Sequence, residues 1–288
     1  MRYFRRGIYE DLLEWKNKWA GRYALLIEGA RRVGKSTIVE EFAKNEYESY
    51  LLIDFKNPRS NTLDYFKRYS SDLDRLFGLL QIEYDVKLTK GKSPIVFDDV
   101  QAYPEARQLI KYLVADGRYE YIETGSLISI KKNVENIQIP SEEMHIDMHP
   151  LDFEGYCWAC GDDGLIEMIR SQYDSKKPLG QDLHAVIMER FKTYMIVGGM
   201  PQAVAEYVES KDLKNVETVK KSILDLYRSD MIHIPVGNGT KALSVFNNIP
   251  AILTTHRKAF CPGKLKKGAR KSYCDSIIWL EESRICNI

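Results

Sequence analysis

The sequence lacks the features of a disulfide-bonded or membrane-spanning protein. It has five cysteines among 288 residues, and an odd, scattered set does not form a disulfide framework. No run of roughly 18 apolar residues occurs, so no membrane span is predicted. The arginines near the N-terminus are followed by no apolar stretch, which predicts an amphipathic helix instead of a signal peptide. We therefore expect a cytoplasmic protein with no membrane partner.

A strong net charge is also missing. The 42 lysines and arginines and the 41 acidic residues give a formal charge of +1, so nothing global indicates a nucleic-acid coat or an acidic partner.

Cys157 and Cys160 form one C-x-x-C motif, but a zinc site needs four ligands and no second such motif exists. His145 and His149 are close in sequence, which leaves a metal site as the alternative to two thiols on a helix.

Short apolar segments alternate with helical patterns in the first half of the chain. Near-continuous apolar runs are typical of strands covered on both faces, and strands that alternate with helices predict a parallel sheet. Strands are predicted at residues 23–27, 50–54, 94–98, 119–123 and 144–148. Helices are predicted between them at residues 35–44, 60–80 and 105–114. After residue 150 helical patterns prevail, at residues 151–160, 183–196, 201–209, 215–227 and 241–253.

The turn after the first predicted strand has the pattern G-x-x-x-x-G-K-[ST]. A strand leads into it and a helix follows it, which is the context of a phosphate-binding loop. Its glycines permit backbone angles that other residues avoid, and the helix N-terminus adds partial positive charge. Lys35 is expected to contact the β- and γ-phosphates of ATP, and the Ser36 hydroxyl to bind Mg²⁺. The residues of this loop are Gly29, Ala30, Arg31, Arg32, Val33, Gly34, Lys35, Ser36 and Thr37.

Two acidic residues end the third predicted strand. Asp98, at the carboxyl end of a buried strand, would face a nucleotide crevice and hold Mg²⁺ through water. Asp99 is the candidate that polarises an attacking water. The alternative is that the two acids cap the helix that begins near Pro104.

A polar turn follows the fourth predicted strand. Thr124 and Ser126 are candidates to contact the γ-phosphate or the attacking water, and a plain strand-to-loop turn is the alternative. Arg107 and Arg118 are candidates for a positive charge that acts on the phosphate in cis or in a neighbouring subunit, although most arginines are simply surface residues.

Several ordered blocks of the sequence resemble the AAA+ group of archaeal-ATPase-like P-loop ATPases. The blocks are GARRVGKSTIVEEFAK, IVFDDVQ, GRYEYIETGSLISIKKN, IPSEE, MHPLDFE and YMIVGGMPQAV. The resemblance implies a Walker A loop at residues 29–37, a Walker B acid at Asp98 and a sensor at Thr124 or Ser126. It also implies a sheet with strand order 5-1-4-3-2. A lid element that packs near the nucleotide is implied at Gly199 and Pro201.

The change from alternating to helical patterns near residue 150 and a break at residues 235–239 divide the chain, and the resemblance implies what each part is. A three-layer α/β/α P-loop domain with a parallel sheet would occupy residues 1–149, a mostly α-helical lid residues 150–235, and a winged-helix-like segment residues 236–288. Relatives are expected to continue into a domain that resembles a restriction endonuclease, which the sequence up to Ile288 does not contain. In the winged-helix context a basic run is predicted to contact nucleic-acid phosphates, with a solvated loop as the alternative. The run consists of Lys264, Lys266, Lys267, Arg270 and Lys271.

Three functions are compatible with these residues. The leading hypothesis is an ATPase that uses ATP and Mg²⁺, and whose nucleotide state moves the helical half of the chain. Asp99 stands where the family usually has glutamate, and a carboxylate one methylene shorter favours a slow or non-hydrolysing switch. A small-molecule kinase is the third hypothesis, but the sequence shows no arginine-rich lid motif. The sequence does not identify a protein partner.

Overall fold

A five-stranded parallel sheet forms the centre of the N-terminal half. The computed structural model describes residues 3–126, 140–232, 239–254 and 270–285. The strand order is β2-β3-β4-β1-β5, which confirms the implied order. Each of the five predicted strands overlaps an observed one. The strands are β1 (Ala24–Gly29), β2 (Leu51–Asp54), β3 (Pro94–Asp98), β4 (Glu120–Ser126) and β5 (Glu143–Asp147).

Helices cover both faces of this sheet. They are α1 (Ile8–Lys18), α2 (Lys35–Glu46), α3 (Thr62–Tyr69), α4 (Leu73–Tyr84) and α5 (Pro104–Asp116). Side chains of α1 and α2 pack on one face, and those of α3, α4 and α5 pack on the other. The prediction of one continuous helix at residues 60–80 is wrong. The chain forms two helices there because the Asp72 side chain accepts a hydrogen bond from the Arg75 amide at 3.1 Å and starts α4.

Every regular element that the structure describes after residue 150 is a helix. All five helices predicted there are confirmed, and two more follow the same pattern. The helices are α6 (Phe153–Cys160), α7 (Asp163–Asp174), α8 (Gln181–Val197), α9 (Pro201–Ser210), α10 (Leu213–Ile232), α11 (Gly239–Leu253) and α12 (Arg270–Glu282). Within residues 236–288 the described elements are α11 and α12, and the winged-helix-like interpretation stays a prediction. None of the described helices has the length and apolar character that crossing a membrane requires.

The parallel arrangement brings the carboxyl ends of the strands to one edge of the sheet. Asp54 at the end of β2 pairs in register with Asp98 at the end of β3. Gly29 at the end of β1 pairs with Ser126 at the end of β4. All five residues of β3 are buried, so this central strand holds Asp98 in a fixed position. The loops that follow the strands at this edge carry the candidate site residues.

A group of charged residues, with Arg107 and Glu123 buried and His145 at its exposed end, lies on the face of the sheet that α5 covers. We call it the Glu123 cluster; it consists of Glu28, Arg107, Glu123, Glu143 and His145. Arg107 donates from Nε and Nη2 to the Glu143 carboxylate at 2.9 and 2.6 Å, and His145 Nδ1 lies 3.0 Å from a Glu28 oxygen. Glu123 is fully buried, and neither of its carboxylate oxygens has a hydrogen-bond partner. Burial, together with the nearby Glu143 carboxylate, raises the pKa of Glu123 well above its usual range.

We expect Glu123→Gln to stabilise the protein by an amount that grows with pH. The folded chain keeps a proton on Glu123 that the unfolded chain releases above its ordinary pKa of 4.5. Native stability therefore falls as pH rises from that value toward the raised pKa. Glutamine does not titrate, so the variant avoids this loss, which is about 1.4 kcal/mol per pH unit across that range. Urea unfolding at about pH 5, 6.5 and 8 measures the difference.

Glu143→Gln is the matched control from the same cluster. It removes one charge of the ion pair with Arg107, so it should destabilise the protein at each of these pH values. A stability difference between Glu123→Gln and the native chain that does not change with pH would show that Glu123 is ionised in the folded protein.

Candidate functional site

The loop between β1 and α2 curves around the N-terminus of α2. Gly34 precedes this helix with a φ of 101°, a left-handed conformation that glycine adopts without strain. A Cβ atom on Gly29 would lie 2.2 Å from the Met148 carbonyl oxygen, so no larger side chain fits without movement of the backbone. The amides of a helix's first turn have no partners inside the helix. The loop therefore presents amide groups and a helix N-terminus to a common centre.

Lys35 places a buried ammonium group inside this loop. Its Nζ atom lies 3.1 Å from the Gly29 carbonyl oxygen and 3.0 Å from that of Ala30. Burial lowers the pKa of Lys35 to about 8, while Asp99 and Asp98 act in the opposite direction. The role of Lys35 toward an anion bound by the loop stays a prediction.

The Asp98 carboxylate lies next to the loop at the end of β3. Its Oδ1 atom accepts hydrogen bonds from the Ser36 hydroxyl at 2.8 Å and from the Thr124 hydroxyl. Thr124 Oγ1 in turn accepts a hydrogen bond from the Asp99 amide at 3.1 Å. Burial raises the pKa of Asp98, whereas the hydrogen bonds from Thr124 and Ser36 lower it. The structure thus brings together four residues that the sequence nominated from three separate segments.

Three carboxylates at this edge are close enough to share a divalent cation. One oxygen each of Asp54, Asp98 and Asp99 lie within 4.8 Å of one another. With the Ser36 hydroxyl they form an all-oxygen donor set, which suits Mg²⁺. The sequence interpretation missed Asp54. Its one available signal was its place at the end of a predicted strand, where carboxyl-end residues of neighbouring strands meet.

The C-x-x-C motif lies on α6, away from these carboxylates. Burial raises the pKa of the Cys157 thiol to about 12, which disfavours the thiolate form that a metal requires. Across the described residues, the three aspartates are the only group of histidine, cysteine or acidic side chains with metal-ligand spacing. The structure therefore favours two thiols on a helix over a metal site at Cys157 and Cys160.

Asp99 is held by contacts on both of its carboxylate oxygens. Its backbone is left-handed, with a φ of 53°. Oδ2 lies 2.6 Å from Lys56 Nζ, and Oδ1 accepts a hydrogen bond from Gln101 Nε2 at 2.7 Å. The alternative in which the two acids cap α5 is wrong, because α5 begins without a side-chain cap.

The two arginines nominated from the sequence are held in ion pairs with acidic residues outside the phosphate loop. Arg107 is bound to Glu143, the first residue of β5. Arg118 precedes β4 and donates to both oxygens of Asp116 at 2.7 and 2.9 Å, and to Asp74. Neither arginine is among the charges that act on Lys35 or on Asp98.

The arginines inside the loop face the helical half of the chain. Arg31 forms an ion pair with Asp230 of α10 at 2.8 Å, and the Tyr227 hydroxyl donates to the Arg31 carbonyl oxygen at 2.8 Å. Arg32 donates to the Gln202 side chain of α9 at 3.0 Å. The loop is thus tied directly to two helices that lie about 170 to 200 residues further along the chain.

A small cleft opens beside the loop, next to the N-terminal segment. Arg6 Nη1 donates to the Val33 carbonyl oxygen at 3.0 Å and fixes that segment against the loop. Gly199 packs on Leu151, where a Cβ would lie 2.0 Å from the carbonyl oxygen, and so seats the turn before α9. The sequence interpretation named Gly34, Thr37 and Pro201 as nucleotide-binding residues but did not name the N-terminal residues. The lining residues are Tyr3, Phe4, Arg6, Gly34, Thr37, Ile38, Met148 and Pro201.

Residues 21–157 match the AAA domain family, and this segment contains the loop, Asp98 and Thr124. The N-terminal half is an AAA+ P-loop ATPase domain. Residues 188–288, which include most of the helices tied to the AAA+ domain, match a family described as a domain of unknown function. Among curated proteins, none matches the sequence significantly.

Solved structures that resemble this chain share little sequence identity with it. A Walker-type ATPase of Pyrococcus abyssi is 16% identical over 98% of this chain and 90% of its own, with a TM-score of 0.45. AMPPCP-bound DnaA from Aquifex aeolicus is 11% identical over 98% and 89%, with a TM-score of 0.38. Because these TM-scores are below 0.5, the assignment of the AAA+ domain rests on the family match and on the geometry of the loop.

The predicted nucleic-acid contact involves the segment before and at the start of α12. Lys264, Lys266 and Lys267 lie outside the described residues, and Arg270 and Lys271 begin α12. Nucleic-acid binding by this basic run stays a prediction.

Proposed function

We propose that the AAA+ domain binds ATP together with Mg²⁺ and hydrolyses the γ-phosphate. The observation that carries this proposal is the set of hydrogen bonds from Ser36 and Thr124 to Asp98, formed beside the Lys35 ammonium. A phosphate-binding loop, an acidic strand end and a polar strand end are thereby joined within one site. P-loop ATPases use this combination of groups for phosphoryl transfer.

Different residues of the loop would bind different parts of the triphosphate. The amides of the loop and the N-terminus of α2 would bind phosphate oxygens, and Lys35 would add a full positive charge at the β- and γ-phosphates. Ser36 and Asp98 would hold Mg²⁺, with Asp54 close enough to bind a coordinated water. When bound, Mg²⁺ supplies positive charge that offsets the charge of the phosphate oxygens.

The base and ribose are proposed to lie at the mouth of the cleft beside the loop, because its interior of about 20 Å³ holds little more than one water molecule. The cleft begins at Gly34 and Thr37, the loop residues nearest the α-phosphate end, and continues to Tyr3 and Phe4. An apolar and aromatic lining suits a planar base. Pro201, at the start of α9, closes the cleft from the helical half. In this arrangement Pro201 would contact the nucleotide, and Gly199 would hold the turn that positions Pro201.

Hydrolysis requires a group that orients water opposite the leaving ADP. Asp99 is the candidate because its backbone amide is fixed by Thr124 and its carboxylate lies beside that of Asp98. Ser126 pairs in register with Gly29 of the loop, which supports a contact between its side chain and the γ-phosphate. Thr124 acts mainly by orienting the two aspartates, since its hydroxyl contacts both of them.

Lys35→Ala is expected to weaken Mg-ATP binding at least about tenfold and to reduce phosphate release to background, because it removes the full charge at the phosphates. Calorimetry and a phosphate-release assay on the native chain and the variant measure both effects. Lys44→Ala, which alters an exposed lysine on the same helix paired with Glu40, is the control. Binding without release in the native chain would support a nucleotide switch. A phosphorylated small molecule would support a kinase. No binding would contradict the proposal.

Nucleotide state is proposed to reach the helical half through the loop arginines. Arg31 occupies a variable position of the loop, so any shift of the backbone around the γ-phosphate moves its ion pair with Asp230 and its carbonyl bond from Tyr227. Burial raises the pKa of Tyr227 to about 12, so its hydroxyl remains a hydrogen-bond donor at neutral pH. Through these contacts, a change in the loop on ATP binding would be transmitted directly to α10.

Arg31→Ala is expected to uncouple α10 from the nucleotide. In the native chain, Mg-ATP should change amide hydrogen exchange within Leu213–Ile232, and in the variant that change should fall by about half or more. ATP affinity should shift less than about threefold, because the Arg31 side chain points to Asp230. Arg228→Ala is the matched control, since Arg228 contacts only helical-half partners in the structure, Asp225 and Asn247. Equal exchange changes in Arg31→Ala and the native chain would refute this route of coupling.

A further inference from the structure

Lys56, in the turn after β2, places a second ammonium group at the acidic end of the site. We propose that Lys56 is a catalytic residue, which stabilises the negative charge of the γ-phosphoryl group in cis during hydrolysis. This inference rests on the proposed ATPase function. Neither the sequence interpretation nor the family match singles out Lys56.

The backbone around Lys56 is fixed by the same strand ends that form the site. The Asp54 carboxylate accepts hydrogen bonds from the amides of Lys56 and Asn57 at 2.8 and 3.3 Å. The Phe55 amide donates to the Asp98 carbonyl oxygen at 3.0 Å. The turn therefore keeps a constant distance from Asp98, and the Lys56 stem leaves it from a defined point.

The ammonium group of Lys56 already lies within the site. Its Nζ atom is 2.6 Å from Asp99 Oδ2, the carboxylate that is proposed to orient the attacking water. Lys56 and Arg31 are both near enough to lower the pKa of Lys35, although burial has the largest effect. Because the Arg31 side chain is directed to Asp230, Lys56 is the cation of this pair that faces the reacting end.

Other cations near or nominated for the site are occupied by other partners. Arg107 and Arg118 are held in ion pairs with Glu143 and Asp116, and Arg32 contacts Gln202 of α9. An arginine or lysine that meets the developing charge is a recurring part of phosphoryl transfer. Lys56 meets this requirement from within the same chain, and its half-exposed side chain has a flexible stem that can change partners.

The proposed step moves one ion pair as the reaction proceeds. The water oxygen bonds to the γ-phosphorus while the bond from that phosphorus to the β–γ bridging oxygen breaks, and its electron pair leaves with ADP. The water proton passes to Asp99 and from there to solvent. The Lys56 ammonium shifts from Asp99 Oδ2 to a γ-phosphoryl oxygen, so the Asp99 oxygen becomes available to the water. Positive charge is thus added where negative charge is greatest.

The test compares three substitutions of Lys56 with a control lysine. Lys56→Ala and Lys56→Gln should lower kcat for phosphate release about 100-fold, the typical effect of removing one transition-state donor. Lys56→Arg should recover at least about a tenth of the native kcat, because it keeps the charge. Mg-ATP affinity, measured by calorimetry, should change less than about threefold in all three variants. Lys92→Ala is the control: Lys92 pairs with Glu48 at 2.7 Å, has similar exposure to Lys56 (60% against 47%), and precedes β3 at the opposite edge.

The outcomes separate this inference from the proposed function. Native hydrolysis that depends on Lys35 and not on Lys56 would overturn the catalytic role of Lys56 alone. Faster hydrolysis in Lys56→Ala would also overturn it, and would assign Lys56 to the restraint of Asp99. A loss of affinity equal to the loss of kcat would make Lys56 a binding residue only. Absence of hydrolysis in the native chain would refute the proposed activity and the role of Lys56 together.

Discussion

The carboxylate of Asp98 is the contact on which the arrangement of the site depends. It accepts hydrogen bonds from Ser36 at the start of α2 and from Thr124 in β4, while its own carbonyl oxygen accepts the amide of Phe55 after β2. Four segments that are far apart in sequence therefore meet at one buried side chain. A carboxylate taken out of water is costly unless such donors surround it, so each of these segments is also held in place by the requirement to satisfy Asp98.

The loop around Lys35 contacts both the proposed phosphate site and the helical half of the chain. Its backbone and its lysine face the centre of the proposed phosphate site, whereas the side chains of Arg31 and Arg32 contact α10 and α9. The helical half is thus bound to the residues that would respond first to the γ-phosphate. Glu123 lies one residue before Thr124 on β4, and the cluster around it joins β4 to β1 and β5, which are neighbours in the order β4-β1-β5. The site and the sheet are consequently stabilised by the same strands.

Much of the fold and the phosphate loop could be predicted from the sequence because their signals are local. Apolar runs predicted the five strands, and the glycine pattern predicted the loop. The resemblance supplied the strand order, which apolar runs alone do not determine. The break between α3 and α4 was missed because a single capping aspartate, Asp72, determines it. A single capping residue is difficult to recognise when the helical pattern continues on both sides of it.

Other parts of the site could not be predicted because they arise from long-range contacts. Asp54 and Lys56 come together with Asp98 and Asp99 only when β2 pairs with β3. Tyr3 and Phe4 join the cleft because Arg6 ties the N-terminal segment to Val33, which no periodic pattern signals. Arg107 was nominated for its charge, yet its partner Glu143 lies on the far strand β5. Such pairings depend on sheet order, which relates residues regardless of their distance in sequence.

The most direct test of this account is the effect of Mg²⁺ on ATP affinity, measured by calorimetry. The measurement compares the native chain with Asp98→Asn and with the control Asp116→Asn. Asp116 pairs with Arg118 at the opposite edge of the sheet. The account predicts that Mg²⁺ strengthens ATP binding about tenfold or more, or ~1.4 kcal/mol, in the native chain and the control. Asp98→Asn should lose most of this gain, because the amide is a poorer ligand for a hard cation. An undiminished Mg²⁺ effect in Asp98→Asn would contradict the claim that Asp98 joins the metal to the loop.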